Sequence, residues 1–344
     1  MGEAHSPFHP GEQALQARVG RRAASERAGR LMVRDFMPEE HRAFFASLPV
    51  VFAGSLDDAG RPCASVLAGA PGFLASPQAR TLRITAQPAP GDPLARHLVV
   101  GAPLGLLGLE FRTRRRIRMN GTVTNVQAHE FEVRVGQSFG NCPKYIQARS
   151  PTGADPAPPG ASHAQGAELS ARAADLVARA DTFFIASAAP GARAGDPAQG
   201  VDVSHRGGRP GFVRVRTRRR RTVLTAPDFA GNSLFNTFGN LALEPRCGLL
   251  FADFSSGDLL QLTGRAEVAW DGPELEAFAG AQRLLRFDVE EGLLRERALA
   301  LRWTPAQQAA QLAATGSWTV VERALADVAA RRHLPMSSPP DNLR

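Results

Sequence analysis

Lysine, tyrosine and cysteine are almost missing from this 344-residue chain. Lys144 is its one lysine, so that forty of the forty-one basic residues are arginine, and its one tyrosine, Tyr145, stands beside it. In a chain also rich in alanine, this bias follows the codon usage of a GC-rich genome. It weakens any reading of the net charge of +8 as a nucleic-acid signal. Cys63, Cys142 and Cys247 are far apart and form no C-x-x-C, which excludes a disulfide framework and a sequence-recognisable zinc site. Long apolar runs are missing too: the longest, 98–109, is interrupted by Gly101, Pro103, Gly105 and Gly108 and is too short to span a bilayer. The first thirty residues carry no apolar stretch of the secretory type. A cytoplasmic protein with neither membrane nor nucleic-acid partners is expected.

Signature motifs are equally scarce. No G-K-[ST] follows a glycine-rich loop, no G-x-G-x-x-G follows a strand, and neither G-x-S-x-G nor H-E-x-x-H occurs. A P-loop, a Rossmann site, an α/β-hydrolase and a zincin therefore each lack their mark. Chemistry, if the protein performs any, is expected to come from a bound cofactor.

What is present is a globular composition, 43% hydrophobic and 22% charged, at a length that suits two domains. Segment 148–166, rich in Pro, Gly and Ala, reads as a linker. An internal repeat supports the division. Gly105-Leu106-Leu107 with Glu110-Phe111 and Gly121 recurs as Gly248-Leu249-Leu250 with Asp253-Phe254 and Gly264, 143 residues on. Phe52-Ala53-Gly54-Ser55 is likewise answered by Phe184-Ile185-Ala186-Ser187. Strands are expected at 50–55, 64–67, 81–85, 104–111 and 117–126, then at 182–188, 211–217, 221–226, 247–253 and 259–270. Helices are expected at 38–46, from near Glu168 through Ala180, at 272–286, 306–314 and 321–331, and a helical arm at 13–30. Closely spaced antiparallel strands suggest barrels and exclude a doubly wound parallel sheet.

Two arginine runs, 112–118 and 214–221, fall where hairpin connections are expected and read as solvated tips. Arg214 and Arg216 differ in lying on a strand within reach of a cofactor phosphate. Three constellations stand out. Asn232, Ser233, Asn236 and Thr237 lie where a helix is expected to start near Gly231, and a helix N-terminus after a strand favours an anion. At that spacing Asn232, Asn236 and Asn240 share one helical face. Asp202-Val203-Ser204-His205-Arg206 reads as a polar loop entering a strand. Finally, Lys144 offers a point charge for a phosphate.

These residues resemble the FMN-binding split barrels of the pyridoxamine 5'-phosphate oxidase-like superfamily. The resemblance lies in Asp-Val-Ser-His-Arg-Gly-Gly-Arg-Pro-Gly-Phe-Val, Pro-Asp-Phe-x-Gly-Asn-x-x-Phe-Asn-Thr and Gly-Leu-Leu-Phe-x-Asp-Phe, with Asn-Cys-Pro-Lys-Tyr-Ile-Gln in the first half. It covers about 40–270 and is weaker in the first half. It implies a mainly β fold with peripheral helices, two tandem FMN-binding split β-barrels sharing a groove. The implied organisation is an arm (1–37), a degenerate first barrel (38–148), a linker (149–167), a second barrel with the cofactor motifs and C-terminal helices (168–335) and a tail (336–344). By motif position Asn232, Ser233, Asn236 and Thr237 would face the FMN phosphate and ribityl chain, Phe212 and Val213 the isoalloxazine, and Gln261 the flavin. Lys144 and Arg214 would complete the phosphate site. His205 and Arg206 would be the catalytic pair, stabilising reduced flavin. The implied function is an FMN-dependent oxidoreductase working between a nicotinamide-type donor and a small-molecule acceptor; the alternative is a non-catalytic flavin or haem carrier. F420 and haem remain as other cofactors of the superfamily. No metal site is expected, and a homodimer is left open. The Trp/Arg-rich ending of true pyridoxamine phosphate oxidases is not recognisable in 323–344, which argues against vitamin B6 oxidation.

Overall fold

The computed structural model describes residues 5–155 and 157–332, so the expected tail at 336–344 lies outside the described residues. The chain is mainly antiparallel β. Its first sheet comprises β1 (Val50–Leu56), β2 (Pro62–Ala68), β3 (Leu74–Gln78), β4 (Thr81–Ile84), β5 (Pro103–Glu110), β6 (Arg115–Val126) and β7 (Phe131–Asn141), in the order β2-β1-β5-β6-β7-β4-β3. After β8 (Pro151–Ala154) and β9 (Ser162–Gln165) come β10 (Thr182–Ala188), β11 (Val201–Gly207), β12 (Arg214–Arg218), β13 (Arg221–Phe229), β14 (Arg246–Ala252), β15 (Leu259–Ala269) and β16 (Ala281–Arg295). Their order, β11-β10-β14-β15-β16-β13-β12, is that of the first sheet strand for strand. The registers agree as well. Phe52 lies opposite Leu107 and Val66, and Phe184 opposite Leu250 and His205.

Each sheet curls around its own core, and the two pack face to face. In β1, Val51 and Ala53 enter the first core while Val50 and Phe52 enter a third cluster between the sheets. In β10, Phe183 and Ile185 enter the second core and Phe184 and Ala186 the shared one. Side-chain alternation thus buries both faces of these strands, which explains their unbroken apolar character. Phe52 and Phe184, equivalent in the repeat, stack at 3.5 Å between centroids. The repeat glycines are needed here: a Cβ on Gly105 would lie 2.3 Å from the Val201 carbonyl oxygen, and one on Gly248 2.5 Å from that of Pro62. Val201 and Pro62 begin the equivalent strands β11 and β2, so the two sheets meet through matching contacts.

Helices lie at the periphery: α1 (Pro10–Arg18), α2 (Arg22–Met32), α3 (Glu39–Ser47), α4 (Pro93–His97), α5 (Ala171–Arg179), α6 (Asn236–Leu243), α7 (Pro273–Ala277) and α8 (Trp318–Arg332). Several expectations need correction. Residues 201–207 form a strand, β11, because β10 supplies a full antiparallel partner. The helix expected over 272–286 is the short α7 followed by β16, where Leu285, Phe287 and Val289 are buried and Asp288 and Glu290 exposed, a period of two. The region 306–314 holds only a 3₁₀ turn, at Ala310–Ala314. The linker is not structureless: β8 pairs with β17 (Leu301–Trp303) and β9 with β16, since sheet edges accept segments that cannot form helices. The arm is two helices docked on the second half, with α1 against α6 where Gly11 meets Gly239.

Candidate functional site

A cleft lies where β6 and the end of β7 face β11 across the two halves, closed on one side by the loop between β13 and α6. It encloses about 90 Å³ of free space and opens to solvent. Six of the expected site residues line it: His205, Arg206, Asn232, Ser233, Asn236 and Thr237. The loop that carries Asn232 and Ser233 and leads into Asn236 and Thr237 at the start of α6 is tightly constrained. Ser233 and Phe235 have φ of 59° and 65°, a left-handed conformation that non-glycine residues rarely take. It follows that α6 begins at Asn236 rather than near Gly231, and Asn232 sits before the helix, bonding Asn141 at 3.3 Å. Asn240, expected on the ligand face, instead donates to Asp202 at 3.0 Å and Ser187 at 3.0 Å in the interior.

Four guanidinium groups converge on the cleft: Arg116, Arg118, Arg206 and Arg283. Arg118 pairs with Asp202 at 2.8 Å; Arg206 and Arg283 share Asp228 at 2.9 and 2.7 Å. Among the described residues Arg116 has no carboxylate partner; it touches Cys142 Sγ at 3.4 Å and the His205 ring nitrogen Nδ1 at 3.5 Å. Four cations facing two carboxylates leave an excess of two positive charges. Moreover, five buried nitrogen atoms of the cleft residues have no hydrogen-bond partner: Nε of Arg116, Arg118 and Arg206, Nε2 of His205 and Nδ2 of Asn141. Buried donors are rarely left unsatisfied, so these groups, with the excess positive charge, offer the cleft's contents hydrogen bonds of the kind an acceptor-rich anion takes.

His205 is not one of the charges. Burial above all, then the positive fields of Arg116 and Arg206, holds its imidazole well below the usual histidine range. Burial also lowers His9 and His41. A histidine depressed in the folded state takes up its proton on unfolding, so its contribution to stability is present above about pH 6.5 and is lost as the pH falls. In urea melts between pH 6.5 and 5, His205→Gln is expected to lose stability less steeply than the parent by about 1 kcal/mol per pH unit on average. Parallel curves for the two proteins would contradict a neutral His205.

Five expected residues lie elsewhere. Phe212 and Val213 precede β12 and point into the core of the second sheet, where Phe212 packs on Phe183. Arg214 pairs with Glu274 at 2.8 Å and lies over Trp318, and it does not line the cleft. Arg216, its neighbour, pairs with Glu322. Lys144 does not line the cleft, although Asn141 and Cys142 just before it do. Gln261 is buried on the other side of the sheet interface. The repeat explains this last case: 143 residues before Gln261 stands Arg118, which occupies the corresponding strand position in the cleft. Arg116 and Arg118 were concealed in a run read as a hairpin tip, yet only 112–114 form the turn. The two-residue spacing that puts both on one face of β6 was the available signal.

The N-terminal arm completes the site from behind. Gln16 donates to the Leu234 carbonyl at 3.1 Å, Ser25 to that of Ser233 at 3.2 Å, and the Asn236 amide to Glu12. Burial pushes the Glu12 carboxyl well up from its ordinary range. The Ser233 and Leu234 carbonyls are thereby engaged by the arm.

No family model matches the chain, and no curated protein matches it. Solved structures that match include HupZ of Group A Streptococcus, 12% identical over 36% of this chain and 90% of its own, with a TM-score of 0.27. A protein of Lactobacillus delbrueckii provisionally assigned as a pyridoxamine 5'-phosphate oxidase is 15% identical over 36% and 93%, with a TM-score of 0.27. The Bacillus subtilis inhibitor of motility MotI/DgrA is 6% identical over 83% and 98%, at 0.22. Likenesses this distant leave function to the cleft itself. No helix among the described residues is long and apolar enough to cross a membrane.

Proposed function

We propose that the two sheets are tandem split barrels, that the cleft between them binds FMN, and that the protein is a flavin-dependent oxidoreductase linking a nicotinamide-type donor to a small acceptor. The observation that carries the reading is the charge excess of two, set among unpartnered buried donors of β6, β7 and β11 in the cleft that the start of α6 also lines. A phosphate monoester dianion matches it in charge and in acceptor number. Arg116, Arg118, Asn232, Ser233, Asn236 and Thr237 would hold that phosphate. Bound flavin supplies the hydride and electron chemistry. Arg206, with Arg283 beside it, holds a positive charge at the cleft wall, where it favours an anionic partner. His205, being neutral, contributes a hydrogen bond and no charge. The lining carboxylate, Asp228, is tied to two arginines and so is poorly placed to move protons. A site that works through a bound redox group fits these residues better than side-chain acid–base catalysis.

Fluorescence titration tests the assignment. FMN is expected to bind about 10²–10⁴-fold more tightly than riboflavin, which lacks the phosphate, as two or more charged hydrogen bonds would give. Equal affinity for both, or none for either, would overturn it. Rapid mixing of the FMN-loaded protein with NADPH then separates an enzyme, whose flavin colour bleaches, from a carrier, whose colour persists.

A further inference from the structure

We propose that the second junction between the halves, where β15 and β16 meet β2, holds the counterpart of this anion cradle and that the chain fills it with a carboxylate of its own, Asp92, leaving one ligand cleft per molecule. The proposal extends the reading of the cleft as an anion site, but its main test does not involve FMN.

The strand registers identify the counterpart residue by residue. Arg118 corresponds to Gln261, Ser204 to Ser65, Val203 to Ala64, and Asn141 to Arg295. The contacts correspond too. In the cleft, Arg118 donates to the Val203 carbonyl at 3.2 Å and to Ser204 Oγ. On the opposite side, Gln261 donates to the Ala64 carbonyl at 2.8 Å and to Ser65 Oγ at 3.3 Å. His205 and Arg206, however, are replaced by Val66 and Leu67, so this side has lost the groups that would face an external ligand.

What occupies the cradle is the Asp92 carboxylate. Its Oδ2 accepts from Arg295 at 2.6 Å and from Gln261 at 3.2 Å; its Oδ1 accepts from Ser65 at 2.5 Å and from the Leu94 backbone at 3.0 Å. Asp92 is 1% exposed, Arg295 2% and Gln261 5%. Arg295 Nε still lacks a partner, as the orphaned donors do in the open cleft, and so does the Gln261 acceptor Oε1. The internal carboxylate neutralises Arg295 and closes the site to solvent. Remove it, and the chemistry left behind is that of a small monocarboxylate site.

The test is replacement of the side chain by its free equivalent. Asp92→Gly removes a group of the size and charge of acetate while keeping a residue tolerated at a helix cap. The Tm is expected to fall by roughly 4 to 7 °C, since breaking a buried pair strands its cation. Sodium acetate should restore it saturably, beyond sodium chloride of equal ionic strength. Asp92→Asn, whose amide fills the space without the charge, should fall similarly and not respond to acetate. Acetate acting no better than chloride on Asp92→Gly would overturn the proposal. If Asp92→Gly folds in neither salt, Asp92→Gly/Arg295→Met decides: it should fold, because the uncompensated cation is gone, and its failure would overturn the proposal as well. Two FMN per chain in a titration would sink the proposal while sparing the FMN reading. No FMN at all, with acetate rescue intact, would do the reverse.

Discussion

Arg116→Met is expected to weaken FMN binding by about 10- to 100-fold, the cost of a hydrogen-bonded charge, while leaving the fold intact. The two effects separate because Arg116 is the cleft guanidinium without a carboxylate partner among the described residues. Burial already lowers its pKa, so the free protein gains by losing a desolvated cation. The Tm of the ligand-free variant should therefore equal or exceed that of the parent. Arg118→Met provides the contrast. It would strand Asp202, a buried carboxylate otherwise held by Asn120 and Asn240, and should destabilise the protein by about 3–5 kcal/mol. A calorimetric FMN titration with a thermal melt on each variant distinguishes the roles. An unchanged affinity in Arg116→Met would remove Arg116 from the phosphate site, and with it the charge match on which the FMN reading rests.

The second large effect concerns the join between the sheets. Gly105→Val places a Cβ where the Val201 carbonyl oxygen would be 2.3 Å away and its carbon 2.9 Å. Both belong to backbone within a sheet, so neither side can yield as a flexible side chain would. A loss of about 3 kcal/mol or more is expected, at the upper end of overpacking costs, together with loss of ligand binding, because the cleft is formed from both halves. Gly248→Val, its counterpart against Pro62, should behave alike. Gly140→Ala, where an added Cβ meets nothing within 4 Å, is the control and should melt close to the parent. Melts of Gly105→Val and Gly248→Val that match this control would contradict the close approach of the sheets.

Much of this was legible in the residues. The repeat around Gly105 and Gly248 locates β5, β6, β14 and β15, and β1 and β10 are announced by their apolar runs. The polar residues of 232–237, in the loop and at the start of α6, and the His205-Arg206 pair do meet in one cleft. Elements were missed where local composition conflicted with long-range pairing. The run 281–295 has helix-forming residues, yet its hydrogen bonds are satisfied by β13 and β15 on either side. Residues 201–207 look like a glycine-rich loop, yet β10 offers them an edge. Tertiary partners override weak local preference in such segments.

The site residues divide in the same way. Those adjacent in sequence were found together, because a short loop or strand keeps its own residues near one another. Those that required the partner half were misplaced. Gln261 and Arg118 hold equivalent positions in their own sheets, and nothing local to either strand says which one faces the open cleft and which one faces Asp92. The residues alone determined two similar β-rich halves, the strand-forming repeat and a polar loop leading into a helix, since these follow from alternation, glycine placement and turn chemistry. Only the packing of one sheet on the other decided which arginines converge, that His205 is neutral and that the second cradle is filled from within. Charge, burial and orphaned donors are properties of surfaces brought together across more than a hundred residues of chain.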